Sequence, residues 1–132
     1  MTAFIDTSAF YAVLDLSDTH HPAAKEAWTL LVQEAATLLT TNYVLLETTA
    51  LLQSRIGVEA ARAFHEDVVP LLQVDWITAE RHRSGIEAML AAGRRKLSLV
   101  DCVSFQTMRQ YGVRVAFCFD AHFGEQGFHI KP

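Results

Sequence analysis

Twice in this chain a short apolar run stops at an aspartate. Ala3-Phe4-Ile5 ends at Asp6, and the stretch from Val113 to Phe119 ends at Asp120. Behind Asp6 stand two hydroxyl residues, Thr7 and Ser8. Phe10, Val13 and Leu14 then fall at i, i+3 and i+4, the spacing of one helix face. A buried strand that hands over at once to a helix is the repeating unit of a parallel α/β domain. Asp6 alone reads equally well as a helix cap or as a carboxylate delivered to the edge of a sheet.

The rest of the chain continues the alternation. His20-His21-Pro22 opens a second helix, with proline suited to the first turn and a stripe of Ala24, Ala27, Trp28 and Leu31. Thr37 to Thr41 reads as a second strand, and Asn42 as the cap of a helix from Tyr43 to about Arg55. That helix is apolar almost all round, so it is expected to be largely buried, which makes Glu47 in its middle conspicuous. Gly57 is expected to close it in the left-handed conformation. Ala61, Phe64, His65 and Val68 trace a fourth helix stopped by Pro70, and a third strand centres on Leu72 to Val74. Thr78 caps a helix that Gly93 ends, and a further helix runs from near Asp101 to Tyr111, closed by Gly112. Val113 to Phe119 is a strong fourth strand, and Gly127 to Ile130 a short fifth at an edge. The expected fold class is α/β, with a mostly parallel central sheet of four to five strands.

A chain of 132 residues is expected to form one domain, spanning 1–132. The 51% of hydrophobic residues favours a sheet covered on both faces, or a partner that covers some surface. Lys and Arg number 11 against 15 Asp and Glu, a formal charge of −4. That balance counts against holding nucleic acid by bulk charge, but leaves open an approach to phosphates through bound cations. Cys102 and Cys118 lack CxxC spacing and read as a reduced pair. With no signal-peptide pattern and no apolar stretch long enough to span a bilayer, a cytoplasmic location is expected.

Four acids gather by this reading at one edge. Asp6 and Asp120 follow strands, so they lie at carboxyl ends, where ligands collect in such sheets. Helices connecting parallel strands start at that same edge. Glu47 lies early in the helix after strand two, and Asp101 near the start of the helix before strand four. Lateral convergence depends on strand order. If the acids meet, they repel one another, and a divalent cation with hard oxygen ligands, Mg²⁺ or Mn²⁺, resolves the repulsion. Each acid also has a plainer reading. Glu47 could pair with Arg55, Asp101 could be a helix-start acid, and Asp120 an ordinary turn acid. His20 and His21 read as a solvated helix start, and His65 and His82 as partly buried structural residues. Arg94-Arg95-Lys96 reads as a solvated loop that could guide a polyanion.

Four stretches together carry a family resemblance. They are Phe4-Ile5-Asp6-Thr7-Ser8-Ala9, Thr40-Thr41-Asn42-Tyr43-Val44-Leu45-Leu46-Glu47, Leu97-Ser98-Leu99-Val100-Asp101-Cys102-Val103-Ser104-Phe105 and Ala116-Phe117-Cys118-Phe119-Asp120-Ala121-His122-Phe123. In this order and spacing the chain resembles the PIN domain, and within it the VapC-type toxins of bacterial toxin–antitoxin modules. The resemblance implies a three-layer α/β/α fold and Mg²⁺- or Mn²⁺-dependent cleavage of RNA. It implies metal and catalytic roles for Asp6, Glu47, Asp101 and Asp120, with Thr7 or Ser8 and Ser104 in support. Many members carry a second aspartate where this chain has His122, which puts the metal count in doubt. A homodimer and a small antitoxin partner are also implied. One rival reading is a non-catalytic PIN-fold module that binds RNA or protein. Another is a phosphoacceptor domain, disfavoured because no lysine follows the fourth strand.

Overall fold

The sheet is built outward from its first strand. In the computed structural model, which describes residues 1–132, β1 (Thr2–Ile5) lies between β2 (Thr37–Thr41) and β4 (Val115–Phe117). β3 (Gln73–Asp75) and β5 (His129–Lys131) form the edges, giving five strands in the order β3-β2-β1-β4-β5. All four pairings are parallel. Central position and cover on both faces explain why β1 reads as a continuous apolar run: Ala3, Phe4 and Ile5 are completely buried.

Helices α1 (Thr7–Leu14) and α2 (His21–Gln33) connect β1 to β2, and α3 (Asn42–Arg55) and α4 (Val58–Ala63) lead from β2 towards β3. The return runs through α5 (Ala79–Ala92) and α6 (Leu99–Tyr111) to β4, and α7 (Ala121–Glu125) joins β4 to β5. Right-handed crossovers place α1 to α4 on one face and α5 to α7 on the other, which makes three layers. Aromatic rings fill both interfaces. Phe10 of α1 meets Phe64 at 5.1 Å, and Phe123 of α7 meets Phe4 of β1 at 6.2 Å and Phe105 of α6 at 5.0 Å. Gly85 lets α5 close on α6, since a Cβ there would stand 2.6 Å from Val103 Cγ2.

Several local expectations are met. Thr78 caps α5 by accepting from Arg81 N at 3.2 Å, and Gly93 and Gly112 end α5 and α6 at φ 61 and 66. Others are corrected. Thr41, not Asn42, caps α3, because its Oγ1 accepts from Val44 N at 3.2 Å. Asn42 instead accepts from Ile77 N at 2.8 Å and ties the start of α3 to the segment after β3. Helix α3 is not buried all round. Leu46 is 72% exposed, because the sheet and α1 cover only the Val44, Leu45, Thr48 and Leu52 side. Gly57 has φ 129 and ψ 175, outside the left-handed helical region though still a glycine conformation.

The fourth helix ends earlier than its apolar spacing implies. It widens into a π-helical turn at Phe64–Val68, then tightens into a 3₁₀ turn at Val69–Leu71 around Pro70. Phe64 and Val68 still reach the core, but His65 lies outside it, bonded through Nε2 to Thr49 Oγ1 at 2.9 Å. His82 is likewise exposed, against the Tyr43 hydroxyl. The fourth strand is only three residues long, and Phe119 leaves the sheet to bond Ser8. The residues after Asp120 form α7 rather than a simple turn.

Candidate active site

Strand order decides which acids meet. From β1 the chain first builds outward through β2 and β3, then returns to lay β4 on the other side of β1. The reversal falls between β1 and β4, where an open α/β sheet leaves a crevice at its carboxyl edge. Ile5 pairs with Phe117, so the residues after these strands enter the crevice together. Asp6 N donates to Phe117 O at 3.1 Å across that junction.

Asp6 is 4% exposed. Its Oδ2 accepts from Ser8 Oγ at 2.7 Å and from Ser8 N at 3.3 Å. Ser8 Oγ in turn accepts from Phe119 N at 2.9 Å. One hydroxyl thus clamps the carboxylate to the exit of β4. Burial still prevails over these bonds and pushes the Asp6 carboxyl up to about 7, with the charges of Asp101 and Asp120 adding to the rise. Thr7 points elsewhere. It is buried, and its Oγ1 accepts from Thr48 of α3 at 3.4 Å.

Asp101 is the third residue of α6 and closes a capping box. Its Oδ2 accepts from Ser98 N, and its own N donates to Ser98 Oγ, both at 3.1 Å. Burial raises its pKa as well; the Ser98 backbone bond lowers it, and the Asp120 charge raises it again. Asp120 caps α7, with Oδ1 accepting from His122 N at 2.9 Å. The helix-start readings of Asp6 and Asp101 are therefore correct as local structure, and Asp120, read as a turn acid, is a helix cap as well. They also explain the convergence, since three helix N-termini point at one crevice and their dipoles favour negative charge there.

His122 completes the group. Its Nδ1 lies 3.0 Å from Asp120 Oδ1 and 3.9 Å from Asp101 Oδ2. That nitrogen is buried yet has no hydrogen-bond partner. Asp101, Asp120 and His122 each offer one donor atom within 4.8 Å of the others. A carboxylate pair beside a nitrogen with no bonding partner fits a divalent cation, the charge that this cluster lacks. Cys118 adds nothing to the set. Burial pushes its thiol up to about 12, and it points to the Asp120 carbonyl at 3.6 Å.

Asp6, Glu47, Asp101 and Asp120 share one pocket of about 460 Å³. Glu47 lies on its α3 wall and takes part in none of the ion pairs of the chain. The alternative pairing with Arg55 does not form, since Arg55 lies over the Tyr11 ring at 5.2 Å. Ser104 is buried behind the pocket and spends its hydroxyl on Val100 O at 2.8 Å. The pocket also contains residues the sequence did not single out for it: Tyr11, Arg55 and Phe119, together with His20. Lys96 is the member of the basic run that reaches the pocket, whereas Arg94 pairs with Glu125 at 2.9 Å. No periodicity marks these residues. They come from separate elements, and only the Arg94-Arg95-Lys96 run offered a signal.

Comparison with known proteins agrees with this fold. The PIN domain family model matches residues 3–128. The 23S rRNA-specific endonuclease VapC20 of Mycobacterium tuberculosis, from strains CDC 1551 / Oshkosh and ATCC 25618 / H37Rv, is 33% identical over 131 residues, covering 98% of each chain. The crystal structure of M. tuberculosis VapC20, described as a Sarcin-Ricin loop cleaving toxin, aligns over 100% of both chains with a TM-score of 0.87 and 32% identity. FitAcB from Neisseria gonorrhoeae shares the fold, with a TM-score of 0.69 at 12% identity over 100% of this chain and 97% of the other. The family model over residues 3–128, together with relatives 32–33% identical over nearly the whole chain and the same parallel fold, places the protein in the PIN domain family, beside the VapC-type endonucleases.

Proposed function

We propose that the protein is a divalent-metal-dependent endoribonuclease, the toxin of a type II toxin–antitoxin pair. The observation that carries this reading is the pocket at the β1/β4 junction. There Asp6, Asp101 and Asp120 line one pocket with no Lys or Arg ion-paired to them, and His122 Nδ1 stands beside Asp101 and Asp120 without a hydrogen bond. The 33% identity to an rRNA endonuclease supports RNA as the substrate class.

Asp6, Asp101 and Asp120 would hold the cation, Mg²⁺ or Mn²⁺, with His122 Nδ1 as a further donor. When bound, it supplies a Lewis acid for a phosphodiester oxygen and a source of nucleophilic water. Ser8 and Ser98 each hold one carboxylate oxygen of Asp6 and Asp101, which fixes the orientation of the other oxygen. Glu47, free of ion pairs, can accept the proton of the attacking water or serve a second cation. Lys96 and Arg55 offer positive charge to flanking phosphates at the same pocket.

Two partners follow from the same reading. Leu46, Trp76 and Leu90 are 72%, 69% and 70% exposed, apolar surface suited to a second copy or a small antitoxin. Co-purification with the product of a neighbouring short reading frame would support the antitoxin. A monodisperse monomer that ignores that product would count against both partners.

The decisive experiment is cleavage of a panel of RNAs with Mg²⁺ or Mn²⁺, comparing wild type with Asp6→Asn and Asp101→Asn. Loss of more than about 100-fold is expected in each, beyond the 10–100-fold typical of groups that only support a metal ligand. Cutting that persists in both variants, or in chelator, would sink the reading. Binding without cutting by the wild type would favour a non-catalytic module.

A further inference from the structure

One wall of the acidic pocket is aromatic. His20, at the start of α2, stacks on Phe119 with ring centroids 4.4 Å apart and an interplanar angle of 15°. The other aromatic pairs of the chain are tilted or edge-on, at 31° to 82°. Stacked and edge-on pairs are both ordinary between aromatic rings, but this is the one flat pair of the chain and its outer member, His20, is exposed.

The pair is held in place from both sides. His20 N donates to Asp18 Oδ1 at 2.8 Å, which fixes the loop that carries the imidazole. Phe119 N donates to Ser8 Oγ at 2.9 Å, the same hydroxyl that holds Asp6. The stack is therefore in register with the acids through a single serine. His20, Phe119, Asp6, Asp101 and Asp120 line one pocket, and Lys96 and Arg55 line it too.

We propose that the His20–Phe119 stack is a platform for one unpaired nucleobase of single-stranded RNA, next to the phosphate that the acids address. This rests on reading the pocket as a ribonuclease centre. An acidic site with net charge −4 behind it cannot hold a strand by bulk electrostatics. Stacking supplies affinity without charge, and any base offers a π-face. Bases splayed out of a loop are the part of an RNA that proteins grip in this way. Lys96 and Arg55 then need only meet the phosphates on either side. Asp18, also in the pocket, disfavours a phosphate at the platform itself and leaves that place to a base.

The test uses the full chain carrying Asp101→Asn, so that RNA binds without being cut. The probes are fluorescein-labelled adenosine ribo-oligomers of about a dozen nucleotides, a length chosen to cover a site of ~4–16 nucleotides. A matched series carries one abasic ribose at each successive position. Adding His20→Ala is expected to weaken binding about 5- to 100-fold, the equivalent of losing one stacked base. Adding His20→Tyr, which keeps a flat face, restores binding. One abasic position is expected to weaken binding to the parent chain and to have no effect once His20 is alanine.

Equal binding with and without His20→Ala overturns the platform, as do an abasic scan that is identical in both backgrounds and an absence of binding. A loop fastener alone would respond to His20→Ala without any dependence on the abasic position. Failure of the ribonuclease reading is separable. If the wild type cuts no RNA but the abasic dependence appears, the platform stands and the catalytic reading falls. If the wild type cuts RNA and His20→Ala leaves KM unchanged, the platform falls alone.

Discussion

Asp75 and Asp6 are both acids at the carboxyl ends of parallel strands, and the chain treats them in opposite ways. Asp75 ends β3, with its side chain 13% exposed. Arg81 Nη1 binds its Oδ2, the Tyr111 hydroxyl donates to its Oδ1 at 3.2 Å, and Arg81 Nη2 donates onward to Thr107 Oγ1 at 2.7 Å. Charge and hydrogen bonds are balanced within the chain. Asp6 follows β1 and is more deeply buried, yet it receives a serine hydroxyl and an amide, and its charged neighbours are other carboxylates. A strand-end acid is therefore not a site by position alone. What separates the two is whether the fold supplies a paired counter-charge, as it does for Asp75 and does not for Asp6.

The largest expected effect comes from breaking the balanced side. Arg81→Met leaves Asp75 partly buried without its guanidinium. The unfolding free energy is expected to fall by about 2–4 kcal/mol, a little below the range for a fully buried pair, measured by urea denaturation. RNA cleavage per folded molecule should not change. A loss of activity with stability intact would mean that Arg81 belongs to the site and that the contrast is wrong.

The unbalanced side should respond to pH with the opposite sign from an ordinary salt-bridged acid. The Asp6 carboxyl is raised from 3.8 to about 7 in the folded chain. Between these values the unfolded chain has lost the proton and the folded chain keeps it. The stability that Asp6 contributes is full below about pH 4 and declines as pH rises towards 7, by at most about 1.4 kcal/mol per unit. In chelator, thermal unfolding of the wild type should occur at lower temperature at pH 7.5 than at pH 5, after the trend of Asp6→Asn is subtracted. Asp6→Asn itself should be the more stable protein at pH 7.5. Adding Mn²⁺ should narrow that gap, with about 2.7 kcal/mol gained by the wild type at a hundred times the Kd. A wild type more stable than Asp6→Asn in chelator at pH 7.5 would remove the claim of an uncompensated carboxylate.

The smallest effect tests the clamp. Ser8→Ala removes the hydroxyl between Asp6 and Phe119 N while leaving every acid in place. Cleavage should fall about 10-fold, at the low end for a group that orients a metal ligand, with apparent affinity for Mn²⁺ weakened in parallel. Thr7→Ala should leave Mn²⁺ affinity unchanged, because Thr7 Oγ1 faces Thr48 rather than Asp6. If Thr7→Ala is the more damaging to Mn²⁺ affinity, the assignment of the supporting hydroxyl to Ser8 is overturned.

Local signals carried much of this. The strand before Asp6, the helix start at Thr7, the cap at Thr78, the first turn of α6 at Asp101, and the closing glycines Gly93 and Gly112 are written within a few residues of where they act. Such features depend on backbone sterics and neighbouring hydrogen bonds, so a linear reading reaches them. The extent of α3 burial was not legible. Whether Leu46 is covered depends on which elements pack beside it, and its own composition carries no record of that.

The sequence by itself determined that acids would stand at the carboxyl edge of a parallel sheet, because a residue that ends a strand or begins a connecting helix must lie there. Only the tertiary structure decided that Asp6, Asp101 and Asp120 meet. That required β4 to return beside β1, a pairing between residues more than a hundred positions apart. It also decided that Ser8 rather than Thr7 holds Asp6, that His122 turns Nδ1 toward the acids, and that His20 lies flat on Phe119. Each of these is a distance between groups remote in the chain, set by the packing of whole elements and by no local preference.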